Sequence, residues 1–218
     1  MLLTERYRKT IEYFLKYGPV PETELEYTDP FELIVAVILS AQCTDKRVNM
    51  ITPALMKKFP DAASMANASE AEVYEYIKSC TYPNSKAKYL VGMARMLLEK
   101  FNGEVPKEPS LLQELPGVGR KTANVVASVV YRKPVMPVDT HVFRVSKRIG
   151  LTPNAKTPLD TELQLSRNIP ADLMHNAHHW LILHGRYVCK ARKPLCNECG
   201  LRSICRYYTK SQGKKPAE

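Results

Sequence analysis

Apolar residues recur along this chain at a period close to that of a helix and almost nowhere at every second position, so the pattern predicts helices throughout and no sheet. Leu3, Tyr7, Ile11, Phe14 and Leu15 form one stripe before Gly18-Pro19-Val20-Pro21 breaks it. Asp29 is placed to cap a helix with Pro30 in its first turn. The run Phe31 to Leu39 that follows is apolar on nearly every side, which predicts a central, buried helix. Thr44 predicts the cap of a helix carrying Val48, Ile51 and Leu55, and Ser69 with Glu72 forms a capping box for another carrying Val73 and Ile77. Ala87, Leu90, Ala94, Leu97 and Phe101 repeat at helical spacing until Asn102-Gly103 stops them.

A Pro-rich connector from Val105 to Pro109 leads to a short helix, started by Ser110 with Gln113 and ending at Leu115-Pro116. The turn Gly117-Val118-Gly119 separates it from a helix over Lys121 to Tyr131, giving a helix-hairpin-helix. Beyond Lys133-Pro134, Asp139 is the predicted cap of a helix ending at Gly150, Thr157-Pro158 starts another, and Ala171 to about Tyr187 makes a long one. There is no internal repeat, and the polar tail Ser211 to Glu218 is predicted to be disordered. The expected class is therefore all-α.

The hairpin turn carries the candidate chemistry. Gly117 and Gly119 have no side chains, so the turn can take positive φ angles and its amides can approach a phosphate, helped by the positive end of the next helix. Such contacts position a nucleic acid without reading its sequence. Lys121 opens a helix whose Ala123, Val125, Val126, Ala127, Val129 and Val130 are apolar. Desolvation, the helix dipole and Arg120 would all disfavour a charged amine there, and a neutral amine can attack a sugar carbon to form a Schiff base. The alternative is a solvated lysine pairing with phosphate. Asp139 stands eighteen residues further on. A helix from Lys121 to Tyr131 is about 15 Å long, and the segment Arg132 to Val138 can span up to about 23 Å, so the chain can return to the lysine. Asp139 is then either a helix cap alone or a capped carboxylate that also takes a proton or stabilises positive charge.

Charge and cysteines sharpen the picture. Lys and Arg number 32 against 22 Asp and Glu, and the resulting net charge of +10 with pI near 9.3 suits a polyanionic partner. No apolar run approaches bilayer length and no signal-peptide order opens the chain, so the expectation is a soluble intracellular protein, cytoplasmic and associated with the nucleoid. Four of the six cysteines, Cys189, Cys196, Cys199 and Cys205, fall within 17 residues as C-x6-C-x2-C-x5-C, which predicts a metal centre. Four thiolates suit either zinc or an iron-sulfur cluster, and spacing does not choose between them. Lys190, Arg192, Lys193, Arg202 and Arg206 in the same stretch can offset thiolate charge or face DNA phosphates. Cys43 and Cys80 read as isolated small apolar groups, and His175 and His179 as hydrogen-bonding residues rather than metal ligands.

Taken together, Leu115 to Val126, Val138-Asp139-Thr140-His141, His178 to Arg186 and the four cysteines resemble the endonuclease III family of helix-hairpin-helix DNA glycosylases, from about Thr4 to Arg206. The resemblance implies a bifunctional glycosylase and apurinic/apyrimidinic lyase of base excision repair acting on oxidised pyrimidines in double-stranded DNA, as a monomer. It implies a 4Fe-4S cluster on Cys189, Cys196, Cys199 and Cys205. Lys121 is implied as the nucleophile at C1′ of the flipped nucleotide, with Asp139 assisting its deprotonation and the departure of the base, before β-elimination cuts the strand. The implied fold is a six-helix domain, 23–133, inserted into a four-helix cluster domain made of 1–22 and 134–218.

Implied DNA contacts are Gly117, Val118, Gly119, Arg120, Thr122, Lys190, Arg192 and Lys193, with Gln42 filling the gap left by the extruded base. At the second wedge position this chain offers Tyr82-Pro83 where Leu-Tyr is usual, an aromatic ring that can stack in the duplex. Cys43 stands where a small unreactive residue is common. A mismatch-directed adenine glycosylase is disfavoured by Lys121. The alternative from a different class is a noncatalytic, metal-stabilised DNA-binding module, which predicts binding without cleavage.

Overall fold

A computed structural model of the chain describes residues 1–212. Its α-helices are α1 (Leu3–Tyr17), α2 (Pro30–Leu39), α3 (Asp45–Lys58), α4 (Ala62–Ala66), α5 (Glu70–Ile77), α6 (Pro83–Phe101), α7 (Pro109–Leu112), α8 (Arg120–Tyr131), α9 (Thr140–Ile149), α10 (Pro158–Asn168), α11 (Met174–Tyr187) and α12 (Arg206–Gln212). Short 3-10 turns at Ala171–Leu173 and Cys196–Glu198 complete them, and there is no strand among the described residues. The fold is all-α. None of these helices is long and apolar enough to cross a membrane. The chain divides into two compact units, Thr23–Lys133 and Met1–Glu22 with Pro134–Glu218.

The Thr23–Lys133 unit is built around α2. Asp29 accepts the Glu32 amide at 2.9 Å and Pro30 fixes the first turn, so the helix starts where the apolar run begins. Phe31 and every residue from Leu33 to Leu39 are buried, against α3, α6 and α8. Each such aliphatic side chain contributes roughly 1.5–3 kcal/mol on burial. Helix α6 packs in turn against α4 and α5, and α7 against α8. The predicted caps at Thr44 and Ser69 accept the amides of Arg47 and Glu72. Helix α4 was not expected. Its Asp61 and Ser64 form a capping box, but Ser at the third position lacks the Glu or Gln that marks the motif in a sequence. The unit therefore carries seven helices, α2 to α8, one more than the resemblance implies.

In the other unit, the inward face of α1 keeps Tyr7 and Phe14 of the predicted stripe but is shifted from its leucines. Arg6, Tyr7, Thr10 and Phe14 are buried, whereas Leu3 and Leu15 are exposed. The reason is tertiary: the Arg6 guanidinium donates to Ile149 O at 2.6 Å and Ile204 O at 2.7 Å, so α1 closes the carbonyl end of α9. Phe14 stacks on Trp180 of α11 with ring centroids 5.6 Å apart. Ser211 and Gln212, expected in a disordered tail, end α12; the rest of that tail, 213–218, lies outside the described residues.

Candidate functional site

The hairpin begins with α7, capped by Glu108 without a side-chain bond rather than by Ser110, and Gln113 Nε2 donates to Pro109 O. The two turn glycines differ. Gly117 has φ +80°, and a Cβ there would stand 2.7 Å from Tyr89 Cβ. Gly119 is extended, φ −82°, with nothing within 4 Å of its Cβ position. Gly117 is needed by the fold, and Gly119 leaves open space in front of α8. No side chain caps that helix, and first-turn amides have no partner within a helix. Val118, among the expected phosphate contacts, has a buried side chain, and its amide donates to Leu115 O at 3.0 Å, so it braces the turn from within.

Lys121 is exposed in the first turn of α8, and Ala123 to Val129 form the buried face. Of the two readings of this amine, desolvated by the fold or solvated, the second holds, because the first turn projects beyond the face that packs on α2. Thr122 is half-buried beside it.

Gln42 and Tyr82 share an unusual conformation. Both are exposed and both stand at φ +54°, a left-handed region that costs an L-residue about 1–2 kcal/mol. Their loops are fastened together from below. Thr81 Oγ1 donates to Gln42 O at 2.7 Å, and the buried Lys86 ammonium donates to Leu39 O and Ala41 O, each at 2.8 Å. Lys86, in the first turn of α6, therefore closes the carbonyl end of α2. Sequence reasoning missed it; the only trace was a lysine at a position facing the apolar stripe of α6. Cys43 and Cys80, read as isolated, are in contact: Cys43 Sγ donates to Cys80 Sγ at 3.7 Å.

In the second unit, Asp139 is half-buried and caps α9, Oδ1 accepting the Val142 amide at 2.7 Å. Its approach is held by His178, whose Nδ1 lies 2.9 Å from Pro137 O and must carry the proton. His175 and His179 also meet backbone carbonyls, of Pro21 and His175 respectively.

Cys189, Cys196, Cys199 and Cys205 line one cavity with Ile149, His184, Leu195 and Leu201. Burial first, and then the neighbouring cysteines, push the Cys199 thiol up; the same holds for Cys205, Cys196 and Cys189 raising it. A cationic centre would relieve that crowding, and a four-thiol donor set fits zinc or an iron-sulfur cluster alike. No three His, Cys, Asp or Glu side chains among the described residues converge tightly enough to hold a single ion. Burial lowers the His184 pKa to about 4, so a neutral imidazole faces Cys199 Sγ, 3.6 Å from Nε2.

The cation nearest the thiols is one the sequence reading passed over. Arg148 Nη1 donates to Cys189 Sγ at 3.5 Å and to Lys190 O at 2.6 Å, and Nη2 to Ala191 O at 2.9 Å. Arg144, one turn earlier, reaches Gly185 O and Cys189 O. The two arginines four apart on α9 were the available signal. Lys190, Arg192 and Lys193 remain exposed on the loop these arginines brace.

The description of the HhH-GPD superfamily base excision DNA repair proteins matches residues 35–171. Endonuclease III of Rickettsia felis is 46% identical over 200 residues, covering 92% of this chain and 93% of that protein. The chain belongs to the endonuclease III family. Endonuclease III of Escherichia coli K12 is likewise 46% identical, over 193 residues, 88% of this chain and 91% of its own length. Among solved structures, a trapped endonuclease III-DNA covalent intermediate superposes with a TM-score of 0.92 at 40% identity, covering 97% of this chain and all of that one. Membership makes this chain a DNA glycosylase of base excision repair.

Proposed function

We propose that the chain is a bifunctional glycosylase and apurinic/apyrimidinic lyase that excises oxidised pyrimidines from double-stranded DNA through a Schiff base on Lys121. The observation that carries this reading is the placement of Lys121 itself: an exposed primary amine in the first turn of α8, directly after the open space at Gly119. Phosphates seated at the amides of Gly119 and Arg120 and the hydroxyl of Thr122 bring a deoxyribose to that amine. The target nucleotide must leave the stack to get there, and Gln42 and Tyr82 fill the space it vacates. Docking of the sugar, rather than the fold, then strips water from the amine.

The amine attacks C1′ as the C1′–N bond to the base breaks, and Asp139 receives the proton that Lys121 gives up while stabilising positive charge on the sugar. Ring opening yields an iminium, which acidifies the C2′ proton; its loss expels the 3′ phosphate by β-elimination. Hydrolysis then frees Lys121. In this chemistry Asp139 is suited by its cap, which fixes one oxygen on the Val142 amide and holds the carboxylate rigid. Cys189, Cys196, Cys199 and Cys205, which line one cavity, would hold a 4Fe-4S cluster, and bound there it would tie the loop to the helices around it. The braced loop would then present Lys190, Arg192 and Lys193 to DNA phosphates.

Incision assays on duplexes carrying single lesions test the reading. It expects cleavage 3′ to oxidised pyrimidines and to abasic sites, with intact pyrimidines untouched, and Asp139→Asn slowed by on the order of a hundredfold or more. Tight binding with no incision of either substrate would instead establish the noncatalytic module.

A further inference from the structure

Cys43 and Cys80 are 37 positions apart in the chain, yet their sulfurs meet at 3.7 Å. Each lies beside an exposed left-handed residue: Cys43 directly follows Gln42, and Cys80 precedes Tyr82 by two. The contact is enforced by hydrogen bonds from two other side chains to the backbone. Thr81 is bonded to Gln42 O, and Lys86 to Leu39 O and Ala41 O, so both loops are held in register independently of the thiols. Neither sulfur belongs to the C-terminal cysteine group, and neither has a role in the glycosylase chemistry above.

We propose that Cys43 and Cys80 are a redox-active dithiol, a modification site at which oxidation ties the Gln42 loop covalently to the Tyr82 loop. A disulfide requires a separation of about 2.05 Å, so from 3.7 Å the sulfurs must close by roughly 1.6 Å, through side-chain rotation and movement of the two loops. Cys43 is half-exposed and Cys80 buried. Burial, followed by the hydrogen bond from Cys43, pushes the Cys80 thiol up to about 11, against the opposing pull of Lys86 and Arg47. An oxidant entering from solvent therefore meets Cys43 first.

With a low-molecular-weight disulfide as oxidant, the Cys43 thiolate attacks one of its sulfurs, forming a mixed disulfide and releasing one small thiolate. Cys80 then gives its proton to water, and its thiolate attacks Cys43 Sγ and expels the second small thiolate. Two protein thiols are oxidised to one disulfide while one small disulfide is reduced to two thiols, and excess dithiol reverses the exchange. The consequence for DNA rests on the wedge reading of Gln42 and Tyr82. Drawing the loops together shifts both residues, and displacements near 1 Å in positioning groups cost on the order of tenfold or more.

The test incubates the intact protein with oxidised glutathione and digests it with trypsin without reduction. The expected product is peptide 17–46 joined to peptide 79–86, with an intact mass lower by about 2 Da and the free mass restored by dithiothreitol. A glutathione adduct that persists on Cys43, or two unmodified thiols, would overturn the proposal. Affinity for an abasic-site duplex is measured in parallel and should fall about tenfold on oxidation, with no change in Cys43→Ser. Equal loss in that variant would place the effect elsewhere and remove the functional half. Absence of duplex binding by the reduced protein would instead sink the wedge reading, leaving peptide mapping to decide the crosslink.

Discussion

At the scale of single residues, the two glycines of the hairpin separate folding from binding. Gly117 occupies a left-handed conformation against Tyr89, so Gly117→Ala adds both backbone strain and a clash at 2.7 Å. It should lower stability by roughly 1–3 kcal/mol, read as a lower urea midpoint. Gly119 is extended with open space around it. Gly119→Ala should leave the midpoint within about 0.5 kcal/mol and yet weaken duplex binding, because the new methyl occupies the approach to the first-turn amides. A large stability loss in Gly119→Ala would mean that its role is structural. Both glycines were visible in the sequence, but their division of labour was not, since it depends on Tyr89 of a different helix.

Among the helices, the junction of α2 with α6 depends on one buried ammonium. Burial lowers the Lys86 pKa, and the charge persists by donating to two carbonyls at the end of α2. Lys86→Met keeps the apolar stem but strands both acceptors, which should cost about 2–4 kcal/mol in chemical denaturation. If stability were unchanged, water would have to satisfy Leu39 O and Ala41 O. Local signals explain which elements could be read from the sequence. Asp29, Thr44, Ser69, Asp139 and Thr157 each bond an amide three residues on, and all five caps are present where they were expected. Lys86, Arg6 and the Cys43–Cys80 contact bond across 45 to 47, 143 to 198 and 37 positions respectively, and no periodicity encodes such partners. For the same reason the inward face of α1 includes Tyr7 and Phe14 as expected but not Leu3 and Leu15: an arginine bonded to two distant carbonyls outranks the leucines beside it.

For the whole molecule, the net charge of +10 should appear as a steep salt dependence of DNA binding. Replacing Lys190, Arg192 and Lys193 together by Ala should reduce the slope of log Kobs against log salt by about 2–3 if each meets a phosphate. If the proposed cluster is bound, its visible absorption should remain, because Arg148 touches a cysteine sulfur whereas these three stand exposed on the loop. An unchanged slope would remove this loop from the interface. The all-α class, the hairpin and the clustered cysteines were legible in the chain; the exposure of Lys121 was there only as one of two alternatives, because periodicity marks the buried face of a helix and says little about its first turn. Covalent chemistry at that lysine is the central step of the proposed reaction. Borohydride reduction during incubation with an abasic-site duplex should trap a stable protein-DNA adduct in the wild type and none in Lys121→Gln. An undiminished adduct in Lys121→Gln, or no adduct from a wild type that binds the duplex, would contradict it.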